Sequence, residues 1–283
     1  MIMAIVPSVL DAIVARALEE DLGSGDLTTD ACISATARAI ADAAARSEIV
    51  VCGGALFSRV FSLVDPTVEF NVHLADGAIA KKGDVMWTVK GAARSLLMAE
   101  RTALNFVQRL SGIATVTRAY VDALPKGSTT RITDTRKTTP GLRVLERYAV
   151  RCGGGKNHRD NLGSAVLIKD NHIVACGGIR EAITRARAHA PHTSKIECEV
   201  DSLAQLDEAL AAGADIVLLD NMPTADVAQA VKTAKNKAIT EASGGITLAR
   251  ITELANVGVD VISVGALTHS APSADIGLDF RND

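Results

Sequence analysis

Apolar runs that end in polar residues recur through the second half of the chain. From Thr130 onward six such runs alternate with amphipathic helical patterns, and their sequences are RITDTRK, AVLIKDN, KIECEVD, DIVLLDN, AITEASGG and DVISVGA. Continuous apolar runs are typical of buried parallel strands, and their alternation with helices indicates βα units. Strand ends from Glu199 to Gly265 are spaced by 21, 23 and 22 residues. We predict six parallel strands that form a barrel or most of one, with their carboxyl ends on one face.

The first part of the chain has a different pattern. An amphipathic helix is predicted in MIMAIVPSVLDAIVARALEEDLG, and short strand-like runs follow in SEIVVCGG, VEFNVHLADG and VMWTVKG. Residues 94–124 have apolar positions at helical spacing, with Gly112 as a candidate point of interruption. The sequence therefore predicts an α/β protein with a small β-rich unit, a long helix and a second unit of βα repeats.

Composition narrows the class of protein. With 48% hydrophobic and 3% aromatic residues among 283, the core should consist mainly of Ala, Val, Ile and Leu. A net charge of −3 and a pI near 6.1 argue against general nucleic-acid binding. No uncharged apolar stretch approaches the roughly 20 residues of a membrane span, so no membrane segment is expected. Five cysteines without a CxxC pair indicate reduced thiols and a cytoplasmic location.

Positive charge is concentrated in one segment. Between Arg131 and Arg159 there are eight Lys or Arg residues and two acids, a local charge of +6, which leaves −9 for the rest of the chain. Nucleic-acid surfaces normally spread positive charge over a face or a stripe. The concentration here predicts a site for a small, multiply anionic ligand.

Two groups of cationic residues in this segment are candidates for binding the anionic ligand. Arg136 and Lys137, in TDTRKTTPG, follow a predicted strand, where a guanidinium could hold a carboxylate or phosphate through two hydrogen bonds. The alternative is a solvated loop with two ordinary cations. In CGGGKNHR, a glycine cluster delivers Lys156, His158 and Arg159. Neither a dinucleotide fingerprint nor a phosphate-binding P-loop fits the spacing of this motif, and a helix C-cap explains only one of its three glycines.

Charged residues also close three other predicted strands. Lys169 ends AVLIK, where it could contact an anion, form a Schiff base with a carbonyl substrate, or take part in a structural ion pair. Glu199 and Asp220 end ECEVD and LLDN, and carboxylates at such positions can hold a metal ion, sugar hydroxyls or a developing cation. Acids at a helix N-cap or in a first helical turn are the alternative for both.

Small residues mark the last two strand ends. They are Ser243, Gly244 and Gly245 after one strand, and Val264, Gly265 and Ala266 after the next. Exposed backbone N–H groups in the final βα loops of such barrels commonly bind phosphate. Tight turns without a ligand are the alternative.

These motifs occur in one order with EDLGSGDLTTD and ERTALNFVQRLSGIAT ahead of them. From about Asp21 to Asp279, the chain closely resembles the quinolinate phosphoribosyltransferase family, the carboxylating nicotinate-nucleotide pyrophosphorylases. The resemblance implies an N-terminal α/β sandwich domain over residues 1–112 and an open or incomplete α/β (TIM-like) barrel over 113–283, with the last residues packed back on the first domain. It also implies a homodimer with shared active sites, and leaves assembly into hexamers open.

The resemblance further implies a reaction and roles for the residues. Quinolinate would react with phosphoribosyl pyrophosphate in the presence of Mg²⁺ to give nicotinate mononucleotide, pyrophosphate and CO₂ in de novo NAD biosynthesis. Quinolinate would be held by Thr135, Arg136, Lys137, His158, Arg159 and the partner's Arg101. Lys169 would contact substrate or pyrophosphate, Glu199 and Asp220 would contact the ribose or its Mg²⁺, and the two small-residue loops would bind the 5′-phosphate. Lys137, Lys169, Glu199 and Asp220 are the implied catalytic residues.

One departure and three alternatives accompany this hypothesis. Asp160, Asn161, Gly163 and Ser164 stand where the family pattern is nearer to LGLYD. A related phosphoribosyltransferase-like protein, acting on nicotinate or associated with molybdenum transport, is the nearest alternative. A Schiff-base aldolase using Lys169 and a non-enzymatic anion-binding protein are the others, although the latter leaves Glu199 and Asp220 without a task.

Overall fold

The computed structural model describes residues 5–282, and the first four residues of the predicted N-terminal helix lie outside this range. The described chain forms two compact units. Unit 1 contains the residues up to Arg118, Thr138–Gly154 and the residues from Leu267 onward, and unit 2 contains Ala119–Lys137 and Gly155–Ala266.

Helices and strands alternate along most of the chain. In order they are α1 (Pro7–Leu22), α2 (Leu27–Cys32), β1 (Arg38–Ala45), β2 (Ile49–Val50), α3 (Gly54–Val64), β3 (Glu69–Val72), β4 (Ile79–Ala80), β5 (Val85–Ala92), α4 (Ala93–Asp122), β6 (Arg131–Thr133), α5 (Arg143–Cys152), β7 (Val166–Ile168), α6 (Asp170–Cys176), α7 (Ile179–His189), β8 (Ile196–Val200), α8 (Leu203–Ala211), β9 (Ile216–Asp220), α9 (Thr224–Ala234), β10 (Ile239–Ser243), α10 (Leu248–Asn256), β11 (Val261–Ser263), α11 (Ala266–His269) and β12 (Ile276–Asn282). Among residues 5–282, no helix combines the length and apolarity that crossing a membrane requires.

Unit 1 is built on a four-stranded antiparallel sheet in the order β12-β1-β5-β3. Trp87 on β5 stacks on Phe57 of α3 with ring centroids 5.1 Å apart, and Phe61 lies 4.9 Å from Phe57. Strand β1 was not predicted, because its sequence RAIADAAA is mostly alanine and has a single β-branched residue and no aromatic one. Its small alanines are buried beside β5 and β12, so sheet pairing decides the conformation of this segment.

Helix α4 is continuous, and the interruption predicted near Gly112 is wrong. Gly112 is required by packing instead. A Cβ atom at this position would lie 2.0 Å from the carbonyl oxygen of Pro272, another residue of unit 1. A glycine inside a helix weakens it intrinsically, and here it allows the segment before β12 to pass against the helix.

Unit 2 contains a six-stranded parallel sheet in the order β6-β11-β10-β9-β8-β7. All six strands predicted from the sequence are present, and the helices that connect them follow the predicted βα pattern. A parallel bridge joins Thr133 of β6 to Lys156, which extends the sheet at that edge. Among the described residues no ladder joins Lys156 to β7, so the barrel is open. The predicted α/β class with an incomplete barrel is confirmed.

Candidate active site

The polar residues predicted to share one face do follow the carboxyl ends of the strands of unit 2. Parallel strands place these ends at the same edge of the sheet, where βα-barrels carry their active sites. Their positions along the sheet are Thr135, Arg136 and Lys137 after β6, His158 and Arg159 after the Lys156 bridge, Lys169 after β7, Glu199 on β8, Asp220 at the end of β9, Ser243 at the end of β10, and Val264, Gly265 and Ala266 after β11.

Two guanidinium groups in this set influence each other. Burial lowers the pKa of Arg159, and the positive charge of Arg136 lowers it further. The side chain of Arg159 is anchored by a hydrogen bond of 3.0 Å from Nη1 to the carbonyl oxygen of Ala165. Two neighbouring cations that repel each other are stabilised by an anion placed between them.

Asp134 fixes the backbone that carries these cations. It is completely buried, and its carboxylate accepts 2.7 Å and 2.6 Å hydrogen bonds from the backbone N–H of His158 and from Nδ2 of Asn157. The backbone N–H of Asp134 in turn donates to the carbonyl oxygen of Lys156. The carboxylate therefore locks the end of β6 to the segment that leads into Arg159.

The ring of His158 faces the interior of unit 2. Its Nδ1 accepts a 2.7 Å hydrogen bond from the backbone N–H of Arg159, and its Nε2 lies 3.4 Å from Glu197 and 3.3 Å from Glu241. Both ring nitrogens thus have protein partners, whereas the family resemblance implies a contact between His158 and quinolinate.

The protonation of His158 is subject to two opposing influences. Burial lowers the pKa of the ring, but the contacts with Glu197 and Glu241 outweigh burial and raise it to about 10. An added proton would have to occupy Nδ1, which already accepts the Arg159 N–H, and two N–H groups facing each other at 2.7 Å repel. While Nδ1 accepts this hydrogen bond, the ring is neutral and carries its proton on Nε2.

Lys169 and Glu199 form an ion pair. The lysine side chain is 46% exposed and the glutamate side chain 13% exposed, so the pair lies at the surface of the strand-end face. The backbone N–H of Lys169 donates to Nδ1 of His172, which fixes the start of α6. The ion-pair alternative considered for Lys169 is therefore present, together with its predicted position at a strand end.

The turn after β9 is tied to the turn after β10. Asp220 accepts a 2.7 Å hydrogen bond from Nδ2 of Asn221, and the Asn221 N–H donates to the carbonyl oxygen of Ser243. Gly244 has φ +82°, and a Cβ there would lie 2.3 Å from Oδ1 of Asn221. Gly244 is thus required by backbone conformation and by close approach.

The small-residue segment after β11 offers fewer donors than its sequence indicates. The N–H of Val264 donates a 2.9 Å hydrogen bond to the carbonyl oxygen of Thr133 and is already used. Gly265 follows it, and Ala266 is the first residue of α11. A phosphate at this loop would depend on these two residues and on the loop from Ser243 to Gly245.

Two further predicted residues are exposed. Lys137 extends from the loop after β6, and its backbone N–H donates to Oγ1 of Thr135. Arg101 belongs to unit 1, where it lies on α4 with an exposed side chain.

Sequence reasoning missed three buried acids of this region, Asp134, Glu197 and Glu241. Each is at most 4% exposed. A signal was present in the strand patterns, because KIECEVD has acids at three alternating positions and AITEASGG has one acid within an apolar run. An acid inside a buried parallel strand needs a partner, so such a position indicates a polar cluster.

The fold and these residues define an α/β protein with an open barrel and a group of charged side chains at its strand ends. The models of the quinolinate phosphoribosyl transferase N-terminal and C-terminal domains match residues 26–111 and 113–279. The chain therefore belongs to the quinolinate phosphoribosyltransferase family.

Curated relatives agree with this assignment. A probable carboxylating nicotinate-nucleotide pyrophosphorylase of Bacillus subtilis is 48% identical over 260 residues, which cover 92% of this chain and 89% of the relative. The carboxylating nicotinate-nucleotide pyrophosphorylase of Mycobacterium leprae is 46% identical over 273 residues, or 94% and 95% of the two chains. The crystal structure of NadC from Streptococcus pyogenes is 42% identical, with a TM-score of 0.95 over 99% of each chain.

Proposed function

We propose that this chain transfers the phosphoribosyl group of phosphoribosyl pyrophosphate to the ring nitrogen of quinolinate, with loss of CO₂. The products are nicotinate mononucleotide, pyrophosphate and CO₂, in the synthesis of NAD. The family and the names of the relatives indicate this reaction. The substrate assignment is carried by the position of Arg136 and Arg159 after adjoining strand ends, where the charge of Arg136 lowers the pKa of Arg159.

Quinolinate has two carboxylates on adjacent ring carbons, and the two arginines match this charge. Each guanidinium can hold a carboxylate through paired hydrogen bonds. Binding a dianion also removes the repulsion between Arg136 and Arg159, so a dicarboxylate gains more than a monocarboxylate such as nicotinate. Lys137 adds an exposed ammonium at the same strand end.

The residues then act on the reacting bonds mainly through charge. The bond from C1′ of the ribose to the pyrophosphate oxygen breaks and the bond from C1′ to the pyridine nitrogen forms. Glu199 and Asp220 stabilise the positive charge that develops on the ribose, and Lys169 attracts the departing pyrophosphate. The ribosylated ring is cationic, so it accepts the electron pair left on C2 when CO₂ departs, and a proton then replaces the carboxylate.

Mg²⁺ fits the donor set at this face, because Glu199 and Asp220 supply carboxylate oxygens, which this hard cation prefers. They would hold it together with the phosphates of the substrate. When bound, Mg²⁺ would neutralise part of the negative charge of the pyrophosphate.

The same proposal includes a homodimer in which Arg101 of one subunit completes the site of the other. The exposed position of Arg101 on α4 supports this arrangement. A cytoplasmic location is supported by the free thiols of all five cysteines.

A coupled assay tests the function. Purified protein with quinolinate, phosphoribosyl pyrophosphate and Mg²⁺ should release equal amounts of nicotinate mononucleotide and CO₂, while nicotinate should not replace quinolinate. Turnover of nicotinate alone would move the protein to a related transferase activity. The aldolase alternative is disfavoured, because an ammonium paired with Glu199 has no electron pair for attack on a carbonyl.

A further inference from the structure

Two buried acids lie close to the ring of His158 in unit 2. Glu197 on β8 and Glu241 on β10 are each 4% exposed. One oxygen atom of each carboxylate and one ring nitrogen of His158 all lie within 4.8 Å of one another. Neither Oε1 of Glu197 nor Oε1 of Glu241 accepts a hydrogen bond, although Oε1 of Glu241 lies 3.3 Å from Nε2 of His158. Burying acids that are incompletely satisfied costs stability, so their presence needs a reason.

A divalent cation does not supply this reason. A metal ion would have to bind Nε2 of His158, the ring nitrogen that faces both carboxylates. Because Nδ1 accepts the N–H of Arg159, the ring must carry its proton on Nε2, and a protonated nitrogen cannot be a metal ligand. The cluster is therefore organised around an N–H group that points at two carboxylates.

The cluster is connected to the substrate-binding cations by short links. Asp134 holds the backbone N–H of His158, and the ring of His158 holds the backbone N–H of Arg159. The Glu197 carboxylate also acts on the Arg159 guanidinium, since its charge raises the pKa of this arginine against the effects of burial and of Arg136. The two glutamates thus orient the ring, and the ring orients the residue that carries the guanidinium.

We propose that Glu197 and Glu241 are positioning residues for the substrate site. They hold the His158 ring so that its Nδ1 fixes the backbone of Arg159 and aims the guanidinium at one carboxylate of the substrate. This inference rests on the proposed function, in which Arg159 binds quinolinate. Because both acids are buried and face the ring of His158, they do not compete with the substrate for the guanidinium groups.

Single substitutions test the role of the acids. Glu197→Leu and Glu241→Leu each remove a carboxylate that faces the Nε2–H, and each should raise the KM for quinolinate roughly tenfold to a hundredfold with little change in kcat, as expected when an interaction with a charged group is lost. Glu197→Gln and Glu241→Gln keep an acceptor oxygen and should recover most of the affinity. A quinolinate KM unchanged in both leucine variants would overturn the proposal.

Thr240→Val is the matched control. Thr240 is also buried on β10, next to Glu241 in sequence, but its hydroxyl bonds to Asp260. The Thr240→Val substitution removes a buried polar contact from the same strand, so it should reduce stability and leave the quinolinate KM near the wild-type value. A rise in KM equal to that of Glu241→Leu would assign the effect to general loosening of the strand.

Two substitutions of the histidine separate positioning from direct binding. His158→Asn places an amide oxygen near the position of Nδ1, where it can still accept the Arg159 N–H, whereas His158→Leu cannot. The asparagine variant should therefore bind quinolinate more tightly than the leucine variant. Equal losses in both variants would indicate that the ring itself contacts the substrate.

Nitrogen NMR of the histidine rings tests the network without any substrate. The chain has six histidines, and the His158→Asn variant identifies the His158 signals. We expect an unprotonated Nδ1 and a protonated Nε2 in the wild-type protein, with both signals shifted in Glu197→Leu. Identical signals in the two proteins would contradict the proposal. A wild-type protein inactive on quinolinate would instead count against the proposed function, while the NMR result would still report on the network.

Discussion

Two buried carboxylate sites in this protein differ in how completely they are satisfied. In unit 1, Glu146 is fully buried and accepts hydrogen bonds from Nε and Nη2 of Arg109 at 3.2 and 2.9 Å and from Oγ1 and the N–H of Thr139 at 2.7 and 3.1 Å. In unit 2, Oε1 of Glu197 and Oε1 of Glu241 accept no hydrogen bond. Both oxygen atoms of Glu146 accept hydrogen bonds, whereas one oxygen atom of each of the other two acids, beside the candidate site, accepts none.

The difference indicates what each site does. A fully paired buried charge stabilises the local structure, because its removal leaves hydrogen-bond donors without that acceptor inside the protein. Groups that stay incompletely paired cost stability and are found mainly where function requires them. Glu146 therefore serves the loop that contains Thr139, and Glu197 and Glu241 serve the chemistry of the strand-end face.

The largest effect on stability is expected at Glu146. Glu146→Leu removes the shared acceptor of Arg109 and of both Thr139 donors, while Arg109 keeps its bonds to the carbonyl oxygens of Ala271 and Thr268. It should lower the free energy of unfolding by about 3 kcal/mol. Urea denaturation followed by circular dichroism measures the change.

The exposed pair of Glu181 and Arg185 on α7 provides the control. Glu181→Leu should produce a far smaller change, because solvent screens an exposed pair. Equal losses in the two variants would show that the burial of Glu146 adds nothing to the strength of its contacts.

The next effect should appear in binding. Arg136→Ala removes one of the two guanidinium groups and should raise the KM for quinolinate roughly a hundredfold or more, which corresponds to about 3 kcal/mol, without loss of fold. Arg131→Ala, at the opposite end of β6, is the matched control and should leave the KM unchanged. If Arg136→Ala also left the KM unchanged, Arg136 would not belong to the site.

The sequence predicted the strands of unit 2 well, because each combines an apolar run with a polar end. It also predicted which residues stand at those ends. It could not predict the partners of Lys169 or of His158, since an ion pair and a ring orientation depend on where neighbouring strands place their side chains. Strand β1 was missed for a related reason, as its alanines become a strand only when β5 and β12 pair with it.

A partial recovery of enzyme activity is expected when two inactive variants are mixed and form hybrid dimers. An Arg101→Ala subunit and a Lys137→Ala subunit should each be nearly inactive alone. If Arg101 acts across the dimer, each hybrid contains one intact site, and an equal mixture after exchange should recover about a quarter of the wild-type activity. Native mass spectrometry shows whether hybrids form. If hybrids form and activity does not recover, Arg101 does not belong to the partner's site.

The smallest change, and the sharpest test of the comparison, is the stability of Glu197→Leu. Burial is the largest factor that raises the pKa of Glu197, so the native fold already disfavours its charge. Replacing such an acid by an apolar residue of similar size should change the free energy of unfolding by about 1 kcal/mol or less, in either direction. Glu146→Leu should therefore weaken the fold, and Glu197→Leu should weaken quinolinate binding alone. A loss of stability at Glu197 equal to that at Glu146 would mean that both acids hold the structure together, and the distinction between the two sites would fail.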